Sequence, residues 1–300
     1  NVGIGRLAGG AITTGVQNTL IGGLAGDAIT TGGSNTALGY AALGANTTGV
    51  DNIAIGSGAM AANTTGGDNV AIGRNALDAN TTAGSNTAVG HVAMGANTTG
   101  DRNVAVGALA LDANTTADGN TALGYAALSA NTTAEVNTAL GFHALRLNVS
   151  GTQNTAVGAL ALDQNTASYN TAVGYNVLAA NTTGTQNNAF GQVALAANTT
   201  GSYNCSFGRA SMNVNTTGSY NVAMGVLALD ANTTGDFNVA LGQSALSANI
   251  GADNNTAVGY QSLKANTTGI KNTAVGTGSG DVITTGGSNT AIGFDAGYDI

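Results

Sequence analysis

An asparagine stands at position 1 and again at 18, 35, 52, 69, 86, 103, 120, 137 and 154, and after the loss of one residue the same count runs from 170 to 289. A chain written as eighteen copies of one seventeen-residue unit has few folds open to it. Each unit is too short to bury its own apolar residues, so copies must stack coil upon coil, which is the sequence signature of a solenoid. Residues 1–300 read as one such solenoid, the last copy stopping at Ile300. The missing initiator Met and the truncated copy read as a segment of a longer chain.

The unit reads N-T-A-V-G-Y-x-A-L-x-A-N-T-T-G-x-x, and its seventeen positions form columns when the copies are aligned. Column one is always Asn and column five always Gly, so Asn1, Asn35, Asn86 and Asn120, with Gly39, Gly90 and Gly124, mark a structural ladder repeated in every coil. Column four is apolar throughout (Ile4, Leu38, Val89, Phe190, Met224) and column nine is Leu or Met in fourteen copies; these two are expected to form the core. Columns three and eight are almost always Ala, a size limit that predicts close approach of another backbone on that face. So rich a content of Gly, Asn and Thr disfavours helix, and two short strands per coil, near columns two to five and twelve to fourteen, are predicted. Side chains alternate along a strand, so column thirteen, where Val149 and Ile250 replace Thr, should face inward and column fourteen outward.

Columns nine and twelve vary together. Fourteen copies pair Leu or Met with Asn, as Leu43 with Asn46, whereas four pair Gly with Ile: Gly9/Ile12, Gly26/Ile29, Gly280/Ile283 and Gly297/Ile300. Conserved packed volume produces such an exchange if both side chains reach one interior pocket. Asn-Thr-Thr at Asn46, Asn63 and Asn80 also matches the N-glycosylation pattern, but a column that accepts Ile is internal, and stacked amides bonding coil to coil are the expected arrangement.

Composition excludes several function classes. Fifteen acids against seven bases give a net charge of -8, which disfavours phosphate backbones, so nucleic acid is not an expected partner. No apolar run approaches the roughly 18 residues of a membrane helix, so no membrane insertion is expected within the segment. Cys205 is alone and pairs with nothing to make a disulfide or hold zinc. His91 and His143 occupy variable columns as surface variants, no convergent acid-base constellation is visible, and no enzyme activity, cofactor or metal is expected. A thin coil with two large apolar residues offsets the conformational entropy of seventeen residues poorly. A second buried face, and hence a homo-oligomer packed on the Ala and Gly columns, is therefore expected.

Two irregularities are candidate sites. Column sixteen places Asp101, Asp118 and Glu135 in three consecutive coils, where a cation would bridge them or where they simply form a solvated acidic face. Column seventeen places Tyr203, Tyr220 and Phe237 in three consecutive coils, with Tyr169 two coils earlier; these are the ligand-binding candidates, with packing between chains as the competing role. Column ten carries Asp27, Asp78, Asp112, Asp163, Asp230 and Asp281, never in adjacent coils, as mutual repulsion would require.

The strand motif Asn86-Thr87-Ala88-Val89-Gly90 resembles the head repeats of trimeric autotransporter adhesins. The longer pattern from Asn35 to Gly49, and again from Asn120, is similar to repeats of bacteriophage tail-fibre proteins and related bacterial surface proteins. The resemblance spans the whole chain, although this unit is longer than that of the adhesin head. It implies a left-handed parallel β-roll assembled as a homotrimer, extracellular, in a virion tail fibre or on a bacterial surface, mediating attachment to a host or surface through a cell-surface glycan or protein receptor. An ice-binding solenoid is the rival, but the two Thr are adjacent and only one column would face outward. A polysaccharide-degrading β-helix is the third reading and would need an acid pair in a groove.

Overall fold

The computed structural model describes residues 1–297 and shows a β-solenoid without helix among them. Its contacts fall into two units, Asn1–Thr152 and Gln153–Ile300. The first contains β1 (Val2–Ile4), β2 (Thr19–Ile21) and so on, one strand per coil, to β9 (Thr138–Leu140); the second runs from β10 (Thr155–Val157) to β18 (Thr290–Ile292). Within each unit neighbouring strands pair in parallel, column against column, as Thr36, Ala37 and Leu38 pair with Ile53, Ala54 and Ile55. The sixteen-residue copy does not disturb this register, because Thr155 still pairs with Thr171 and Ala156 with Ala172. The missing residue therefore falls in the loop.

Among the described residues only one strand forms per coil, over columns two to four, and the second strand expected near columns twelve to fourteen is absent. A strand needs donors and acceptors that alternate in direction. Here the amides of Thr30, Thr31 and Gly32 converge on the single carbonyl of Thr47, at 3.0, 3.3 and 3.3 Å. The arrangement joins the coils without making a ladder. The Thr30 hydroxyl donates to the same carbonyl at 3.1 Å, and column fourteen is exposed as expected. Column thirteen does not face inward, being half-buried where it is Thr30 or Thr47 and exposed at Val149 (46%) and Ile250 (53%), the two residues on which the inward reading rested.

The interior is the reverse of what residue size suggested. Ala37, Ala54, Ala71, Ala88, Ala105, Ala122 and Ala139 of column three are all 0% exposed, as is column eight from Ala42 to Ala144. The Ala columns are thus the core of each coil rather than a face for another chain. Column four points outward: Leu38 is 45% exposed, Leu123 43% and Met224 42%. Column nine is core, with Leu43, Leu77, Leu128 and Leu229 at 0%.

Asparagine fills the polar positions inside. In column one, Asn35 Oδ1 accepts from the Asn52 amide at 3.1 Å, and Asn35 Nδ2 closes its own coil on the Gly49 carbonyl at 2.9 Å. Asn1, Asn86 and Asn120 repeat this pattern. In column twelve, Asn63 Nδ2 donates to Asn46 Oδ1 at 2.9 Å and to the Gly66 carbonyl at 3.0 Å. Asn46, Asn63 and Asn80 are 0% exposed, so these are ladder residues and present no acceptor for glycosylation. A buried amide is tolerated because its donors and acceptor are met in most coils; Asn131 Oδ1, Asn255 Nδ2 and Asn266 Oδ1 are the buried exceptions among the described residues.

The turn between columns five and twelve is a run of tight bends, with Ala42 donating to Gly39 O and Asn46 to Leu43 O. Columns seven, nine and seventeen adopt left-handed φ whatever their residue, as at Ala41 (φ 52), Leu43 (φ 56) and Asp51 (φ 56). Column five goes further, with φ of +144 at Gly39, +140 at Gly90 and +138 at Gly124, a region essentially reserved for glycine. The paired exchange of columns nine and twelve has a direct cause. A Cβ on Gly26 would stand 2.8 Å from Ile29 Cδ1, and one on Gly280 3.2 Å from Ile283 Cδ1, so the isoleucine occupies the space that Leu fills elsewhere. Ile300, partner of Gly297, lies outside the described residues.

Candidate functional site

With Ala turned inward, the outer face of the sheet is formed by columns two and four. No charged residue occurs at either column in any copy, although the chain carries seven bases and fifteen acids. Ile53 (39% exposed), Ile72 (37%) and Val104 (36%) continue the face in the first unit, and Phe207 (37%) and Val275 (37%) in the second. Phe190 and Phe207 stack on it with centroids 4.6 Å apart and planes 6° apart. Cys205 lies in column two on this face, half-buried, and burial pushes its thiol above the ordinary value.

The column-seventeen rings do come together. Tyr203 and Tyr220 stack at 4.8 Å and 4°, and Tyr220 and Phe237 at 5.0 Å and 9°, while all three remain about half exposed. Coil spacing imposes this: closely similar φ values of 60, 59 and 57 project successive rings in the same direction one strand spacing apart. Both faces of Tyr220 and the inner faces of Tyr203 and Phe237 are consequently covered. What the solvent meets is a row of ring edges and two phenol groups, extended by Gln186, whose Nε2 donates to the Tyr203 hydroxyl at 3.4 Å. Edges and hydroxyls suit hydrogen bonding along the row better than the face-on stacking of a sugar ring.

Column sixteen is also a ladder. Asp101 Oδ1 accepts from the Gly84 amide at 2.7 Å and Asp118 Oδ1 from the Asp101 amide at 2.8 Å, so each carboxylate caps the preceding coil. Arg102 pairs with Asp118 at 3.1 Å on an exposed surface, where such a pair contributes little. Glu135 is exposed. Among the described residues no three His, Cys, Asp or Glu side chains are grouped to hold a metal ion. The same capping recurs where the sequence drew no attention to it: Ser219 donates to Asp236 at 2.7 Å, Asp236 to Asp253 at 2.8 Å and Ser202 to the Ser219 hydroxyl at 3.1 Å. A column-wise tally of Ser and Asp at position sixteen would have revealed it.

Two further surface features complete the site. Column fourteen is a single exposed file of Thr, from Thr14 to Thr133 in the first unit, and its neighbours in column thirteen spend their hydroxyls on backbone carbonyls. A second aromatic group, unnoticed in the sequence, joins columns six and seven: Phe142 stacks on His143 at 3.8 Å and on Tyr125 at 5.7 Å. Adjacent copies with Tyr and Phe in column six were its signal. His91, exposed, accepts at Nε2 from Arg74 at 2.6 Å. A depression of about 350 Å³ beside it in sequence is lined by Thr82, Gly84, Ser85, Asp101 and Arg102, and its one carboxylate is already engaged with Gly84. Among the described residues no helix is long and apolar enough to cross a membrane. Comparison with protein-family models and with curated proteins finds no match to the chain.

Proposed function

We propose that this chain is a rigid shaft or head segment of an extracellular fibre, that copies pack side by side as a homotrimer, and that the fibre mediates attachment to a host or surface. The observation that carries the proposal is the uncharged outer face of the sheet. Charges are common on the turns and wholly excluded from columns two and four, and the apolar area left bare along nine coils is on the order of 500 Å². That is at the upper end of what a monomer exposes, and an isologous or cyclic contact between identical repeats would cover it in register. The threefold symmetry follows the resemblance to adhesin heads and tail-fibre repeats, and the exposure of columns two and four, with the Ala columns buried inside the coil, supports lateral packing on the former.

Native mass by sedimentation tests this. The unmodified chain should sediment as an oligomer, and Val89→Lys with Val106→Lys, both on the outward side of their strands, should yield a monomer with unchanged β-sheet signal, because a buried lysine without a partner costs several kcal/mol, about 3 to 5. A monomeric unmodified chain at micromolar concentration, or an oligomer indifferent to two lysines, rules out this face.

The aromatic row is the segment's proposed contact with a receptor. Replacing Tyr203, Tyr220 and Phe237 together by Ser should weaken attachment to cells or glycans while the fold persists, since Ser34 and Ser85 occupy the same column with the same left-handed φ of 59. Losing two stacked pairs costs about 1 to 3 kcal/mol, seen as a modest fall in Tm. Attachment unchanged in the triple variant would remove the row as a recognition element.

A further inference from the structure

Column ten was expected to carry solvated acids, spaced to avoid repulsion. A packing constraint acts beside repulsion. Asp27 Oδ1 and Asp78 Oδ1 come within 3.5 and 3.4 Å of where a Cβ would stand on Gly44 and Gly95, so the carboxylate leans onto the next coil and requires a small residue there. The residues that follow five of the six Asp in this column are Gly44, Gly95, Ser129, Ala179 and Ser247; the sixth, Tyr298 after Asp281, lies outside the described residues. Leaning buries one oxygen. Asp112 Oδ1 in the first unit and Asp230 Oδ1 in the second are fully buried and have no hydrogen-bond partner. No charge faces them: columns nine to eleven of the adjacent coils carry Met94, Gly95 and Ala96 with Leu128, Ser129 and Ala130 around Asp112, and Met212, Asn213 and Val214 with Leu246, Ser247 and Ala248 around Asp230. The other ionisable groups of these coils are His91, Asp101, Arg102, Asp118, Tyr125, Glu135, Arg209, Tyr220, Asp236 and Asp253 in columns six, sixteen and seventeen, and Cys205 in column two.

We propose that Asp112 and Asp230 make the coil stack of each unit acid-strengthened, more tightly held in mildly acidic surroundings than at neutral pH. An ionised oxygen buried without a donor or a cation is unfavourable, and the neutral carboxyl relieves it. Burial accordingly pushes both carboxyls above the ordinary aspartate value, against a smaller opposing effect of nearby backbone amides, and Asp78 moves in the same direction. With the folded value raised above the unfolded one, the native state binds more protons between the two, so stability falls as pH rises through that window and the penalty is fully present at neutrality. The informative quantity is the difference between the chain and its variant.

Thermal unfolding of the unmodified chain and of Asp112→Asn/Asp230→Asn from pH 3 to 8 tests the proposal. The variant should melt higher at pH 7, by at least about one degree, and the gap should close as pH falls to the ordinary carboxylate value of 3.8. A gap of zero at pH 7, or one that is constant with pH, overturns it. Carbon-13 titration of the side-chain carboxyls in the unmodified chain gives an independent reading: midpoints for these two residues above the ordinary value support the proposal, and midpoints at or below it refute it.

Discussion

Gly39→Ala should prevent the first unit from folding, or destabilise it by more than about 4 kcal/mol, the range reserved for severe backbone defects. Two independent faults coincide. The φ of +144 is one that an L-residue does not hold without strain of about 1 to 3 kcal/mol. In addition, the new Cβ would stand 2.5 Å from the Gly56 carbonyl oxygen, 2.6 Å from its carbon and 3.0 Å from the Ser57 nitrogen. These are backbone atoms of the next coil, fixed by the strand register above them, and cannot move aside as a side chain would. Gly119→Ala is the matched control. Its φ is +66 and its nearest neighbour is 4.0 Å away, so only the left-handed penalty of about 1 to 2 kcal/mol applies. Circular dichroism and thermal unfolding of the two variants should separate them widely; similar behaviour would show that the coils slide apart to admit a methyl group, and would discard the account of the invariant column.

Leu128→Gly should cost at least about 3 kcal/mol through cavity formation, because Leu128 is 0% exposed in a coil whose interior holds little else but alanine. Asn131→Ile alone should also be unfavourable: two large groups would compete for one pocket, at about 1 to 3 kcal/mol, and Asn114 Oδ1 and the Ala134 carbonyl would lose the donor they share at 2.9 and 3.0 Å. Together the two changes rebuild the pairing seen at Gly26 and Ile29, where Ile29 is fully buried. The double variant should therefore be more stable than the sum of the single effects by about 1 kcal/mol or more. Recovery should be partial, since the amide ladder is still cut. Additivity in a denaturant-unfolding cycle would mean that the two columns do not share space at this coil.

Much of the architecture was legible in one sequence because eighteen copies serve as their own alignment. The fixed period required stacking. The constancy of Asn and Gly marked a ladder in every coil, and the exchange of Leu and Asn for Gly and Ile pointed to a shared pocket before any distance was known, whereas the φ that reserves column five for glycine came from the structure. The aromatic row was legible too, as three rings in one column, and its stacking follows from coil spacing. Its covered faces were not, since they depend on where the turn at column seventeen aims the side chain.

The sequence by itself determined the repeat, its parallel register and the alternation of columns two, three and four. Alternation says that Ala and Val lie on opposite sides of the strand, but not which side is enclosed. Size argued for burying the larger residue. The tertiary structure decided otherwise: left-handed residues at columns seven, nine and seventeen bend the chain back so sharply that the space behind the strand is narrow, and Ala37, Ala42, Leu43 and the two asparagines of that coil fill it completely. Beside Leu or Met at column nine only a small side chain fits in column three, whereas Leu20 is buried there because Gly9 and Gly26 leave column nine without a side chain. Leu38 and its counterparts are left outside by the same geometry, which turns a predicted core into the apolar face through which, on the reading proposed above, one copy meets the next.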